Sequence, residues 1–166
     1  MVGLRRILMT KERIQEYTLK ITNASATGII VILYDLATEY IKTAQGCFDA
    51  GDHDEAKQQC TSAGRVLGDL IASLDFNYEI SFPLFRIYEY ISKEVSMAVI
   101  KNDGKDLDDC IRLLSELKES FEKIAEQDDS GPVMANTQTV YAGLTYGKGT
   151  LNESTSYSSD NRGFKA

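Results

Sequence analysis

The chain has little of what most functional classes require. Its 166 residues include two prolines, three cysteines and one histidine, and the 18 Lys and Arg are outnumbered by 25 Asp and Glu. With prolines only at Pro83 and Pro132, long stretches are free to be helical. Cys47, Cys60 and Cys110 are odd in number and far apart, which excludes a disulfide framework and a closely spaced zinc site and fits a reducing cytoplasm. A formal charge of −7 and a pI near 4.8 leave no basic footprint for a nucleic-acid backbone and would repel an anionic membrane surface. No run approaches the roughly 20 apolar residues of a spanning helix. The basic start, Met1 to Met9, is interrupted by Arg5 and Arg6 and lacks the apolar core and cleavage site of a secretory signal. The expectation is a cytoplasmic protein whose partner is another protein, with neither nucleic-acid binding nor membrane insertion.

Groups that could carry chemistry are as sparse. His53 sits beside Asp52, Asp54 and Glu55, but four sequential residues at a helix start read as a solvated cluster complementing the helix dipole, not a metal site. A di-metal site in a helical bundle needs a histidine from each of two helices, and the chain has one. The cysteines fall on or beside apolar stripes, away from an activating base. Asp103, Asp106, Asp108 and Asp109 cluster at a helix start, where they serve the first turn and do not form an acid/base pair in a cleft. Tyr146-Gly147-Lys148-Gly149-Thr150 lacks the spacing and preceding strand of a phosphate loop, and Asn152-Glu153-Ser154 is a glycosylation sequon in spelling alone. The reading is a binding protein with no enzymatic activity, no cofactor and no metal.

What is present is helical periodicity. Ser25 is a plausible N-cap for a helix to about Ala50, with Ile29, Ile30, Leu33, Ala37, Tyr40, Ile41, Ala44 and Phe48 on one stripe and Gly51 as its stop. Asp52 with Glu55 opens a second helix carrying Ala56, Cys60, Ala63, Leu67, Leu70 and Leu74. A third starts near Ser81, with Pro83 tolerated in its first turn, and presents Leu84, Ile87, Tyr88, Ile91, Val95 and Ala98. After the turn Asn102-Asp103-Gly104, a fourth carries Leu107, Cys110, Ile111, Leu114, Leu117, Phe121 and Ile124. Short connections make neighbours antiparallel, so the predicted fold is all-α, an antiparallel up-down four-helix bundle. Three segments follow: an N-terminal helical arm over 1–22, the bundle over 23–127, and a flexible Gly-, Ser- and Thr-rich tail over 128–166. The arm is basic and amphipathic through Leu4, Ile7, Leu8 and Ile14. Within the tail, Val140-Tyr141-Ala142-Gly143-Leu144-Thr145-Tyr146 is a short apolar motif.

Four ordered segments then resemble one family. Asn23-Ala24-Ser25 through Ile32-Leu33-Tyr34-Asp35 is similar to the opening of the first bundle helix in FliS proteins, T-A-S/T-P followed by M-L-Y-D. Leu84 to Ile91 resembles L-x-x-L-Y-D-Y-M, Val99 to Asp103 an A-N-x-x-x-D turn, and Leu107 to Phe121 the closing leucine-rich helix of that family. The chain departs from the pattern at Ala26 for proline, Thr27-Gly28 for an acidic pair, and Phe121 for tryptophan, and it lacks a Gly pair in the middle connection. The resemblance implies a flagellar type III export chaperone that holds the disordered C-terminal segment of flagellin in apolar grooves and prevents premature polymerisation. An adaptor on the same bundle for a different export substrate is the alternative. The expected groove or arm residues are Tyr17, Ile21, Ile30, Leu33, Tyr34, Ile41, Leu67, Tyr88 and Tyr90, with Tyr34 as a surface anchor, Tyr17, Tyr34 and Tyr90 balanced between partner contact and packing, and Leu33, Ile41 and Leu67 weighted toward packing. Asp35 is expected to hold a structural hydrogen bond. Possible further partners are other flagellar export components, and the expected state is a monomer or weak dimer. In the free protein the arm is expected to cover part of the groove.

Overall fold

In the computed structural model, residues 11–134 are described; Leu4, Ile7 and Leu8 of the arm and the Val140–Tyr146 motif lie outside them. Among the described residues the fold is all-helical: α1 (Lys11–Thr22), α2 (Ala26–Asp49), α3 (His53–Ala72), α4 (Ser81–Lys101) and α5 (Leu107–Ala125).

The helix starts follow local chemistry. Ser25 caps α2, its Oγ accepting the Gly28 N–H at 3.2 Å, and Asp52 caps α3 by accepting the Glu55 N–H at 3.4 Å. Pro83 stands in the first turn of α4, where its missing donor costs nothing. Gly51 turns the chain out of α2 at φ 74°, and Asn102 ends α4 in the left-handed region at φ 52°. Gly104 closes the next turn tightly: a Cβ there would stand 3.1 Å from the Phe48 ring and 3.2 Å from the Gln45 Cα.

α2 to α5 contribute to one core. On α2 the buried apolar positions are Tyr34, Ala37, Ile41, Ala44 and Phe48, stepping by three and four; on α4 they are Leu84, Tyr88, Ile91, Val95 and Ala98. α3 adds Ala56, Cys60, Ala63, Leu67 and Leu70, and α5 adds Leu107, Cys110 and Leu114. α2 and α5 run antiparallel, because Gln45 bonds Asp108 at one end of the pair and Asp35 bonds Lys118 at the other. α2 packs against α3 and α5, and α4 against α3 and α5.

Three predicted stripe positions shift. Ile29 gives its place at the centre of α2 to Tyr34, three residues before Ala37 in the same alternation. Leu74 packs on the core from the connection, since α3 ends at Ala72. Ile124 is exposed because it lies in the last turn of α5, past Phe121, where contact with the core stops. The first residues of the expected flexible tail are also tied down. Asp128 accepts the Thr27 N–H at 3.4 Å, adding a distant carboxylate to the α2 N-terminus, and the Val133 N–H donates to Ala24 O at 3.1 Å. Hydrogen bonds from Ser130 first, then Thr27, hold the Asp128 carboxyl well below the usual range.

Candidate functional site

Ile29-Ile30-Val31-Ile32-Leu33 makes the start of α2 apolar all round, and a helix of that kind must be covered on more than one side. One side meets the shared core, where Tyr34 is buried and Ile30, Leu33 and Leu36 pack at the edge. The other side is met by α1, which lies antiparallel to α2. Arg13 pairs with Glu39 at 2.6 Å, and one turn on, the Tyr17 hydroxyl donates to Asp35 at 3.0 Å. Continuing that register brings Ile21 level with Val31.

Asp35 is the centre of this clasp. Its second carboxylate oxygen accepts from Lys118 of α5 at 2.7 Å, so one side chain joins α1, α2 and α5. Burial alone would raise the Asp35 carboxyl, but the bonds from Lys118 and Tyr17 override it and hold it below the ordinary range. Its hydrogen bond to Asp35 raises the Lys118 ammonium, and burial, with the Asp35 bond second, pushes the Tyr17 phenol up. The structural hydrogen bond expected of Asp35 is therefore present twice over. The docking face of α1 differs from the expected stripe: Ile14 is half exposed, and Arg13 and Tyr17 face α2.

The predicted partner-contact residues divide by burial. Tyr34, expected as a surface anchor, is instead fully buried, its hydroxyl 2.5 Å from that of Tyr88 and its ring edge-on to Phe121 at 5.4 Å. A phenol is amphipathic, and a buried one is stable where its oxygen finds a partner. Tyr88, Ile41 and Leu67 are buried with it, so these four lie out of reach of a partner that leaves the core closed. Tyr17, on α1, is buried with its hydroxyl on Asp35 of α2, and Ile21, Ile30 and Leu33 are half-buried. Tyr90 is exposed on α4, since an i, i+2 pair diverges around a helix. Sequence reasoning missed Arg13, Glu39 and Lys118, whose pairing joins residues far apart in the chain. A groove between α3 and α4 is lined by the small residues Gly64, Ser92 and Ser96 beside Cys60, Val95 and Val99.

The thiols of Cys60 and Cys110 are buried and each pushed up to about 11, chiefly by that burial, which makes them core groups rather than nucleophiles. Among the described residues there is no cluster suited to a metal ion, and no helix is long and apolar enough to cross a membrane.

The described residues make a small helical protein with a closed core and an apolar helix start beside a polar clasp. The family model for the flagellar protein FliS matches residues 9–128, and the chain belongs to that family. Membership implies a role as a flagellar export chaperone. No curated protein matches the chain.

Proposed function

We propose that this protein binds the C-terminal segment of flagellin in the bacterial cytosol and keeps it from polymerising before type III export. The observation that carries this reading is the five-residue apolar run Ile29–Leu33 at the start of α2, half-buried and beside a helix, α1, tied to α2 by the Tyr17–Asp35 hydrogen bond and the Arg13–Glu39 ion pair. A disordered client with amphipathic helical segments would replace α1 on that face, in a helix-in-groove mode. Of the predicted contact residues, Ile30 and Leu33 are half-buried on α2, Tyr90 is exposed on α4, and Tyr17 and Ile21 belong to the arm that the client displaces. Anchors worth about 1.5–3 kcal/mol each when fully buried offset the cost of ordering the client and leave a complex that can be released.

The scaffold of this reading is an antiparallel up-down bundle over 23–127 with 1–22 as a displaceable arm and 128–166 as a tail. The protein acts without catalysis, as a monomer or weak dimer. Co-precipitation with flagellin and with flagellin lacking its C-terminal segment tests the proposal. Capture of the intact client and loss of the truncated one is the expected result. Equal capture of both, or capture of another flagellar export substrate in place of flagellin, would transfer the assignment to the adaptor alternative.

A further inference from the structure

The connection between α3 and α4 and the first turn of α4 display large apolar side chains that the core does not use. Tyr78 is 65% exposed, Ile80 63%, Phe82 56% and Phe76 47%, although aromatic and branched side chains are usually drawn inside. Three of the rings here are held together. The Phe76 ring stands edge-on to Phe82 at 5.4 Å and to Phe85 at 5.8 Å. The backbone beneath them is fixed: Asp75 Oδ1 accepts from the Asn77 N–H at 3.0 Å, and the buried Ser81 hydroxyl donates to Asp75 O at 2.6 Å. An organised, exposed cluster of this kind marks a contact surface.

The chain itself supplies an occupant close by. Tyr34 lies about two turns from the start of α2, and it touches Tyr88, about two turns from the start of α4, and Phe121, one turn from the end of α5. These three helix ends therefore share one end of the molecule, and the α3–α4 connection stands there. The described chain stops at Met134 on that same end, pinned by the Val133 to Ala24 hydrogen bond. Beyond it, Val140-Tyr141-Ala142-Gly143-Leu144-Thr145-Tyr146 is the densest apolar stretch. Six chain steps from Met134 to Val140 reach at most about 20 Å. Neighbouring helix axes are about 8–10 Å apart, so that reach spans the bundle end. The segment carries no charge, so it meets no repulsion from Asp75 and Glu79 or from a chain of net charge −7. Tethering also gives it an effective concentration of order millimolar, against which a separate chain would have to compete.

We infer that Val140–Tyr146 docks on the aromatic cluster of Phe76, Tyr78, Ile80 and Phe82, as an intramolecular cover for this end of the bundle. The inference is independent of α1 as a cover, since no cluster residue lies on α1 or α2.

The chain has no tryptophan, so Leu144→Trp in the full-length protein is a single reporter. The expected result is blue-shifted emission shielded from acrylamide, with both effects lost in Phe76→Ser/Phe82→Ser and in Tyr78→Ser/Ile80→Ser. All four substituted positions are exposed, and a helical circular-dichroism spectrum identifies the pair that retains the fold. Emission of a fully solvated indole in the full-length chain would overturn the inference. So would a blue shift that survives the folded patch variants, or one that grows with protein concentration and so reports a second copy.

Discussion

The two sides of α2 solve the same problem differently. Its inner side buries Tyr34, Ala37, Ile41, Ala44 and Phe48 against α3, α4 and α5, and the polar pair inside it, Tyr34 with Tyr88, is satisfied only by itself. Its outer side, along Ile29 to Leu33, is half-buried beside α1, which is tied to α2 by the buried Tyr17 bonding Asp35 and by Arg13 pairing with Glu39; apart from Tyr17, the groups of this clasp, Lys118 included, are reached in part by solvent. Apolar burial is non-directional and closes for good, whereas partly exposed ion pairs contribute little and can be exchanged for water. The inner side fixes the fold. On the proposed reading, the outer side is the one whose cover a partner replaces.

The sharpest contrast comes from truncating each side. Leu67→Ala removes a wholly buried side chain and should cost about 2–5 kcal/mol in urea unfolding, with α1 lost along with the rest. Tyr34→Phe leaves the buried Tyr88 hydroxyl without a partner and should cost about 1–3 kcal/mol. Tyr34→Phe/Tyr88→Phe should cost less than the sum of the single changes, because no orphan remains; strict additivity would show that the hydroxyls do not act as a pair. On the outer side, Tyr17→Phe should change global stability by less than about 1 kcal/mol, while amide exchange in α1 accelerates and exchange in α3 to α5 does not. Uniform acceleration would erase the distinction between the two sides.

The clasp should also respond to pH where the core does not. Asp35 titrates lower in the folded protein than in the unfolded chain. Its contribution is therefore present above about pH 4 and is lost as pH falls through the lowered value. Tyr17 and Lys118 titrate higher when folded, so their contribution is present below about pH 10 and is lost as pH rises through the raised values. Limited proteolysis of α1 should be slowest between these limits and faster on both sides. A flat profile would mean that α1 is held by its apolar contacts alone.

The helices of the core were legible because their signals are local. Ser25, Asp52, Pro83 and Gly51 mark boundaries within a few residues of themselves, and the buried stripes repeat by three and four. Tyr34, expected at the surface, is buried instead, because adjacent helical residues can both reach the core, one at its centre and one at its edge. Stepping back three residues from Ala37 selects Tyr34, and Leu33 still packs at the edge. The clasp was legible only at Asp35 and Tyr17. Arg13 with Glu39 and Asp35 with Lys118 join charged groups across 26 and 83 residues of chain, and no periodic pattern encodes such pairs. The Asp128 contact with the start of α2 was hidden in the same way.

The central claim is that α1 is a replaceable cover on the outer side of α2. Calorimetry with a peptide of the flagellin C-terminal segment should show tighter binding to the full chain carrying Arg13→Ala/Tyr17→Phe than to the unsubstituted protein, with circular dichroism confirming that the bundle is intact. Unchanged or weaker binding by that folded variant would contradict the cover, and absence of binding to either protein would contradict flagellin as the client.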